Sequence, residues 1–165
     1  MKCAPPAQAL LLALTLASPQ ARADDYFTRI EPVPASEFWL TSGFETFHFD
    51  REKGLSGRNN GLGAEYRLRG DIALTIGHFR NSDREPSTYV GAIWQPYALG
   101  PVRLGVVGAA FNGYPRMRQG GWFPALIPVA TVEYKYVGVN LGFVPSYKDR
   151  LYGGLSVQLK FKLSL

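Results

Sequence analysis

From Phe38 onward, apolar and polar side chains alternate in short runs broken by Gly, Asn, Asp, Ser and Pro, and no stretch sustains the apolar period of a helix. The last run shows the pattern most plainly. Leu155, Val157, Leu159, Phe161, Leu163 and Leu165 fall on one face of a strand, while Ser156, Gln158, Lys160, Lys162 and Ser164 fall on the other. The run before it does the same, with Val132, Tyr134, Tyr136, Val139, Leu141 and Phe143 set against Thr131, Glu133, Lys135, Gly138, Asn140 and Gly142. The pattern predicts eight strands, at about 38–50, 61–69, 71–80, 88–97, 101–112, 126–136, 137–145 and 151–164. Each is near the ~9–11 residues that a tilted membrane-crossing strand needs. The expected fold is therefore all-β: an eight-stranded antiparallel up-and-down barrel, whose even strand count closes the sheet and leaves no bare edge.

Alternation does not say which face points outward. A soluble barrel of lipocalin type would turn its apolar side chains in, and a transmembrane β-barrel would turn them out. Three features favour the transmembrane version. Tight connections at 68–71, 98–101 and 136–137 alternate with longer polar ones at 52–60, 81–87, 112–121 and 146–150, the asymmetry of outer-membrane barrels, which puts both termini at the periplasmic end. Aromatic residues gather near strand ends, with Trp39, Tyr66, Trp94, Tyr97, Tyr134 and Tyr136 expected toward the periplasm and Phe47, Phe49, Phe111, Tyr114, Trp122, Phe123 and Phe143 toward the outside. Finally, Glu65, Arg67, Glu133 and Lys135 share strands with apolar faces and are expected to pair across the lumen as a polar plug.

The N-terminus changes the picture of where the chain acts. Lys2, an apolar run from Ala9 to Ala17 and the small-residue site Ala21-Arg22-Ala23 read as a cleaved secretory signal over residues 1–23. Residues 24–37, with Pro32 and Pro34, are expected to form an irregular periplasmic lead-in holding at most one helical turn near Tyr26 to Ile30, and residues 38–165 the barrel. Cys3 lies in the leader, so the mature chain has no thiol for a disulfide or a metal. Removing Lys2 and Arg22 lowers the net charge from +5 to +3, which gives no support for nucleic-acid binding. There is no P-loop, dinucleotide fingerprint or metal-spaced cluster, and no cofactor or metal is expected.

Trp122 to Pro145 adds prolines to this alternating sequence. Proline cannot donate to a ladder, so Pro124, Pro128 and Pro145 are expected to mark places where neighbouring strands fail to pair. The runs PALIPVATVEY at 124–134 and FVPSY at 143–147 resemble the paired-proline strands of the outer-membrane lipid A palmitoyltransferase (PagP-like) family, and FRNS at 79–82 resembles that family's phenylalanine-x-aspartate-serine. The resemblance covers most of the chain from the first barrel strand onward. It implies a bacterial outer-membrane location, an integral monomer, and phospholipid and lipid A as partners. It also implies acyl transfer at the outer rim, with Pro128 and Pro145 flanking the gap through which a lipid chain enters.

Carried over residue by residue, the resemblance assigns Ser82 and Asn81 to the catalytic pair, with Asn81 standing in place of an aspartate. Phe44 stands where the family has its histidine. His48, four residues on and on the same strand face, is either a displaced base facing Ser82, oriented by Asp50 or Asp83, or an exposed rim histidine. Asn81-Ser82-Asp83 is equally good turn sequence, and Asn59-Asn60-Gly61 reads as a solvated loop. Tyr89 or a neighbour, with Gly91 nearby, falls where the family keeps a glycine that sets acyl-chain length, so a filled floor is expected, and with it a shorter chain or no chain. The functional alternative is a non-catalytic barrel with a structural or surface-adhesive role.

Overall fold

The computed structural model describes residues 26–148 and 150–164, and the expected leader lies outside them. Nine strands follow one another: β1 (Phe27–Arg29), β2 (Pro34–His48), β3 (Arg58–Arg69), β4 (Ile72–Arg80), β5 (Pro86–Leu99), β6 (Val102–Phe111), β7 (Phe123–Tyr134), β8 (Val137–Val144) and β9 (Gly154–Leu163). Strands β2 to β9 pair antiparallel with their chain neighbours, and β9 returns onto β2 from Phe38↔Leu163 to His48↔Gly154. These eight form a closed barrel. The turns β3–β4, β5–β6 and β7–β8 are two residues each and share one end, while the four longer connections share the other.

The segment before the barrel is more regular than the sequence pattern suggests. β1 lies outside the ring and pairs with β5 at Phe27↔Leu99, Thr28↔Ala98 and Arg29↔Tyr97. The cause is β5 itself. Its ladder to β4 ends at Ile72↔Trp94, so residues beyond Trp94 overhang with an open edge, and β1 fills it in place of the expected irregular lead-in. Phe27 stacks on Tyr97 with centroids 5.2 Å apart. Residues 30–33 then cross the β3–β4 turn, where the Gly70 N–H donates to the Val33 carbonyl at 2.8 Å. A Cβ at Gly70 would stand 2.2 Å from the Glu31 oxygen, so the crossing needs glycine there.

Side chains face the way a membrane barrel requires. Leu62, Ile76, Val90, Leu126, Leu141 and Leu159 are exposed, whereas Thr41, Glu65, Arg67, Thr131, Asn140, Gln158 and Lys160 are buried. That is the inverse of a water-soluble barrel. Most of the expected aromatic residues are on the outer wall, but Trp39, Phe111, Tyr114 and Phe123 are not. Trp39 is 2 % exposed because its register partners, Glu65 and Lys162, share the lumen face, and the other three line an internal cavity.

Charges close the lumen toward the short turns. The Lys160 ammonium lies 2.7 Å from Glu65 and 2.7 Å from Glu133, and Arg67 pairs with Glu133 and, at 3.0 Å, with Glu37. Lys162 also pairs with Glu37, and Lys160 Nζ sits 4.8 Å from the Trp39 ring centroid. Of the two cations expected in this plug, Arg67 takes part and Lys135 does not. Lys135 sits instead in the β7–β8 turn at φ 53°, with its ammonium 5.3 Å from the Tyr134 ring centroid, and Lys160 supplies the charge. Above the ions, Gln95 donates to Thr131 at 2.8 Å and Thr131 to Asn140 at 2.8 Å, while Asn140 donates to both Glu65 and Gln158. Most polar groups of this layer thereby spend their valence on a neighbour, while the buried Thr41 Oγ1 and Arg103 Nε have no hydrogen-bond partner among the described residues.

Candidate functional site

On the long-loop side of that polar layer the lumen turns apolar. A cavity open at its mouth is walled by Phe44, Phe79, Ile93, Val107, Phe111, Phe123 and Val129 and reaches the loops at Leu55, Asp83, Arg150 and Tyr152. The aromatic rings pack edge to face and offset, with Phe44 and Phe79 centroids 5.0 Å apart and Tyr89 and Phe111 5.7 Å apart. Tyr89 is 4 % exposed and accepts from Gln158 at 3.2 Å. Its ring fits because Gly63 and Gly77 face it: a Cβ at either would stand within 2.6 Å of the Tyr89 side chain. Tyr89 is thus one wall rather than a complete floor, since the lining continues past it to Thr75, Ile93 and Asn140.

At the mouth the period of two along β2 carries Phe44, Thr46 and His48 onto the lumen face. His48 Nε2 lies 3.0 Å from Ser82 Oγ, which the loop after β4 delivers, and 3.2 Å from the Ser56 carbonyl oxygen. Ser82 Oγ also accepts from Asn59 Nδ2 at 3.2 Å, and Asn59 Nδ2 donates to Thr46 Oγ1 at 3.0 Å. A carbonyl oxygen can only accept, so its approach places a hydrogen on His48 Nε2 and leaves the lone pair on Nδ1. His48 Nδ1 and Asn59 Oδ1 are buried and have no hydrogen-bond partner among the described residues.

The residues singled out from sequence divide at this point. His48 and Ser82 meet. Asn81 does not join them, because its valence is spent on the loop: Nδ2 donates to the Gly113 carbonyl at 2.8 Å, and Oδ1 accepts from the N–H groups of Asp83 and Glu85 at 3.0 Å each. Asp50 caps the Glu52 N–H at 3.1 Å in an exposed turn and Asp83 reaches the cavity mouth without bonding His48, so no carboxylate of the described residues orients the imidazole. Gly91 has a structural task, since a Cβ there would strike Gly108 and Ala109 on the adjacent strand. Tyr114 also borders the mouth, where burial, with the Asp83 charge adding, pushes its phenol above the ordinary range.

Pro128 and Pro145 are exposed and mark a seam. The β6–β7 ladder runs unbroken through Pro124 and Pro128, so the failure of pairing lies on one side of β7 only. The β7–β8 ladder stops at Val129↔Gly142, one residue past Pro128, leaving 123–128 with no partner on β8, whose own strand ends just before Pro145. Across the seam, Ile127 Cγ2 lies 3.5 Å from where a Cβ would stand at Gly142.

Asn59 is the residue that sequence reading passed over. Assigned to a solvated loop, it is 3 % exposed and lies in β3, paired with Phe44. Extending the alternation of that strand two residues back from Gly61 puts Asn59 on the lumen face. No protein-family model matches the chain, and no curated protein matches it either.

Proposed function

We propose that this chain is an outer-membrane barrel that moves a fatty acyl chain from a phospholipid to a hydroxyl of lipid A, as the resemblance to the palmitoyltransferase family implies. The observation that carries this reading is the 3.0 Å contact of His48 with Ser82 at the mouth of an apolar cavity. An acyl chain fills the aromatic part of the cavity, entering from the membrane through the seam beside Pro128 once Ile127 turns aside. The ester carbonyl then lies at the mouth.

There, Ser82 Oγ receives the His48 and Asn59 N–H groups, which leaves its own proton free to donate to the carbonyl oxygen as charge develops on it. His48 Nδ1, with its lone pair, takes the proton of the acceptor hydroxyl as the new C–O bond forms. Collapse of the tetrahedral intermediate breaks the donor ester C–O bond, and the imidazolium returns the proton to the leaving lysophospholipid alcohol. Atoms and charge balance without a cofactor.

The test is expression in an outer-membrane host lacking its own palmitoyltransferase, with lipid A read by mass spectrometry. The expected result is an added acyl chain in the wild type that is absent in Ser82→Ala and His48→Ala. Tyr89→Ala should admit a longer chain by removing one wall. No added chain, where a known enzyme works in parallel, would leave the non-catalytic barrel as the reading.

A further inference from the structure

Arg67, Lys160 and Lys162 are paired with carboxylates in the barrel, but two cations that meet on Tyr152, a residue of the cavity lining, have none among the described residues. Lys53 Nζ from the β2–β3 loop lies 5.4 Å from the Tyr152 ring centroid, and Arg116 Cζ from the β6–β7 loop lies 5.1 Å from the same ring. Arg116 also donates to the Tyr152 hydroxyl. No carboxylate of the described residues forms an ion pair with either cation, whereas Arg67, Lys160 and Lys162 each have one. Their shared neighbour is a π face, which attracts cations but does not neutralise them. The β4–β5 loop helps hold the arrangement, since Arg84 donates to the Gly54 carbonyl at 3.3 Å, directly beside Lys53.

The geometry points to a phosphate clamp formed by Lys53, Arg116 and the Tyr152 hydroxyl, which takes the phosphate ester of a lipid whose acyl chain occupies the cavity. Arginine presents a planar donor fork that matches two phosphate oxygens, and lysine adds a point charge. Position supports the same ligand. Tyr152 and Arg150 line the cavity mouth with Ser82 and His48, so one amphiphile can set its tail among the rings, its ester at Ser82 and its phosphate at the clamp. The outer connections as a whole carry Arg51, Lys53, Arg84, Arg116, Arg118, Lys148 and Arg150 against Asp50, Glu52, Asp83, Glu85 and Asp149, a basic excess at this end. The clamp deepens the acyl-transfer reading and takes its lipid ligand from it.

Two lipid sources carry the required group, the phospholipid donor and a phosphorylated glycolipid acceptor. Native mass spectrometry of the full chain released from detergent micelles separates them. One arm offers phosphatidylglycerol against diacylglycerol of the same chains, and the other a bisphosphorylated disaccharide lipid against its dephosphorylated form. In at least one arm the wild type should retain the phosphorylated lipid about tenfold better, the scale of a charge-assisted hydrogen bond. The arm that shows the preference names the source. Lys53→Ala with Arg116→Ala should abolish the preference, and the charge-keeping pair Lys53→Arg with Arg116→Lys should restore it. Arg29→Gln with Lys135→Asn, an equal charge loss at the far end, should leave it intact. No preference in the wild type, or a preference that survives the alanine pair, overturns the clamp. Binding is read without turnover, so a phosphate preference in a protein that transfers no acyl chain would keep the clamp and remove the enzyme.

Discussion

The two halves of the lumen are built from the same strands yet stabilised in opposite ways. Toward the short turns, Glu65, Lys160, Glu133 and Arg67 fill the interior with charges that hold only as a set. Toward the long loops, Phe44, Phe79, Tyr89, Phe111 and Phe123 surround space. In the charged half each of these four side chains is committed to a partner, and removing one strands another. In the aromatic half contacts are individually weaker and interchangeable, and a void already exists. A closed, rigid base beneath a loosely filled top is what an internal binding site for a lipid tail requires.

The largest break in this comparison is Lys160→Ala. It leaves the carboxylates of Glu65 and Glu133 in the lumen without their shared cation, and stability should fall by about 3–5 kcal/mol in urea unfolding of the barrel from lipid vesicles. A loss below about 1 kcal/mol would mean that the ion set is not what holds the base. On the aromatic side Phe79→Ala should cost less, about 1.5–3 kcal/mol, because the transfer cost is lost while a cavity is already present. Equal losses in the two halves would erase the distinction.

Asn81→Ala comes next, at about 1–2 kcal/mol, since it removes three hydrogen bonds from the loop that presents Ser82. It should also lower any transfer activity through misplacement of Ser82, with Asn81→Asp failing to rescue because the Gly113 carbonyl needs a donor. Smallest is the effect of Tyr114, whose burial raises its phenol above the ordinary 10.0. The folded state then holds the proton more tightly than the unfolded chain. Its contribution is therefore complete below pH 10.0 and is lost as pH rises past that value. Tyr114→Phe should lack that component, and an absorbance titration of the wild type should show a phenol ionising above the ordinary value that is missing from Tyr114→Phe.

The alternation of single residues made the barrel legible, because one-residue periodicity assigns each side chain to a face, and the same rule put His48 on Ser82's side of β2. Which polar residues met was less legible. Lys135 and Lys160 both alternate inward, but Lys135 falls at a two-residue turn, where the strand geometry that defines a face ends. Asn81 resembled a catalytic residue in its sequence neighbourhood, yet the loop behind it needed a donor and two acceptor sites, and asparagine supplies them. Asn59 and β1 were missed for a common reason: both depend on where a partner strand ends, which is a property of register and not of composition.

β1 has a bearing on how the molecule is assembled. Its docking edge exists only once β5 and β6 have zipped together, some seventy residues later in synthesis. The earliest described residues are therefore among the last to find their place, and a ring that has not finished wrapping leaves them undocked. Protease trimming around Arg29 would then report on maturation, sparing finished barrels and clipping those still under construction.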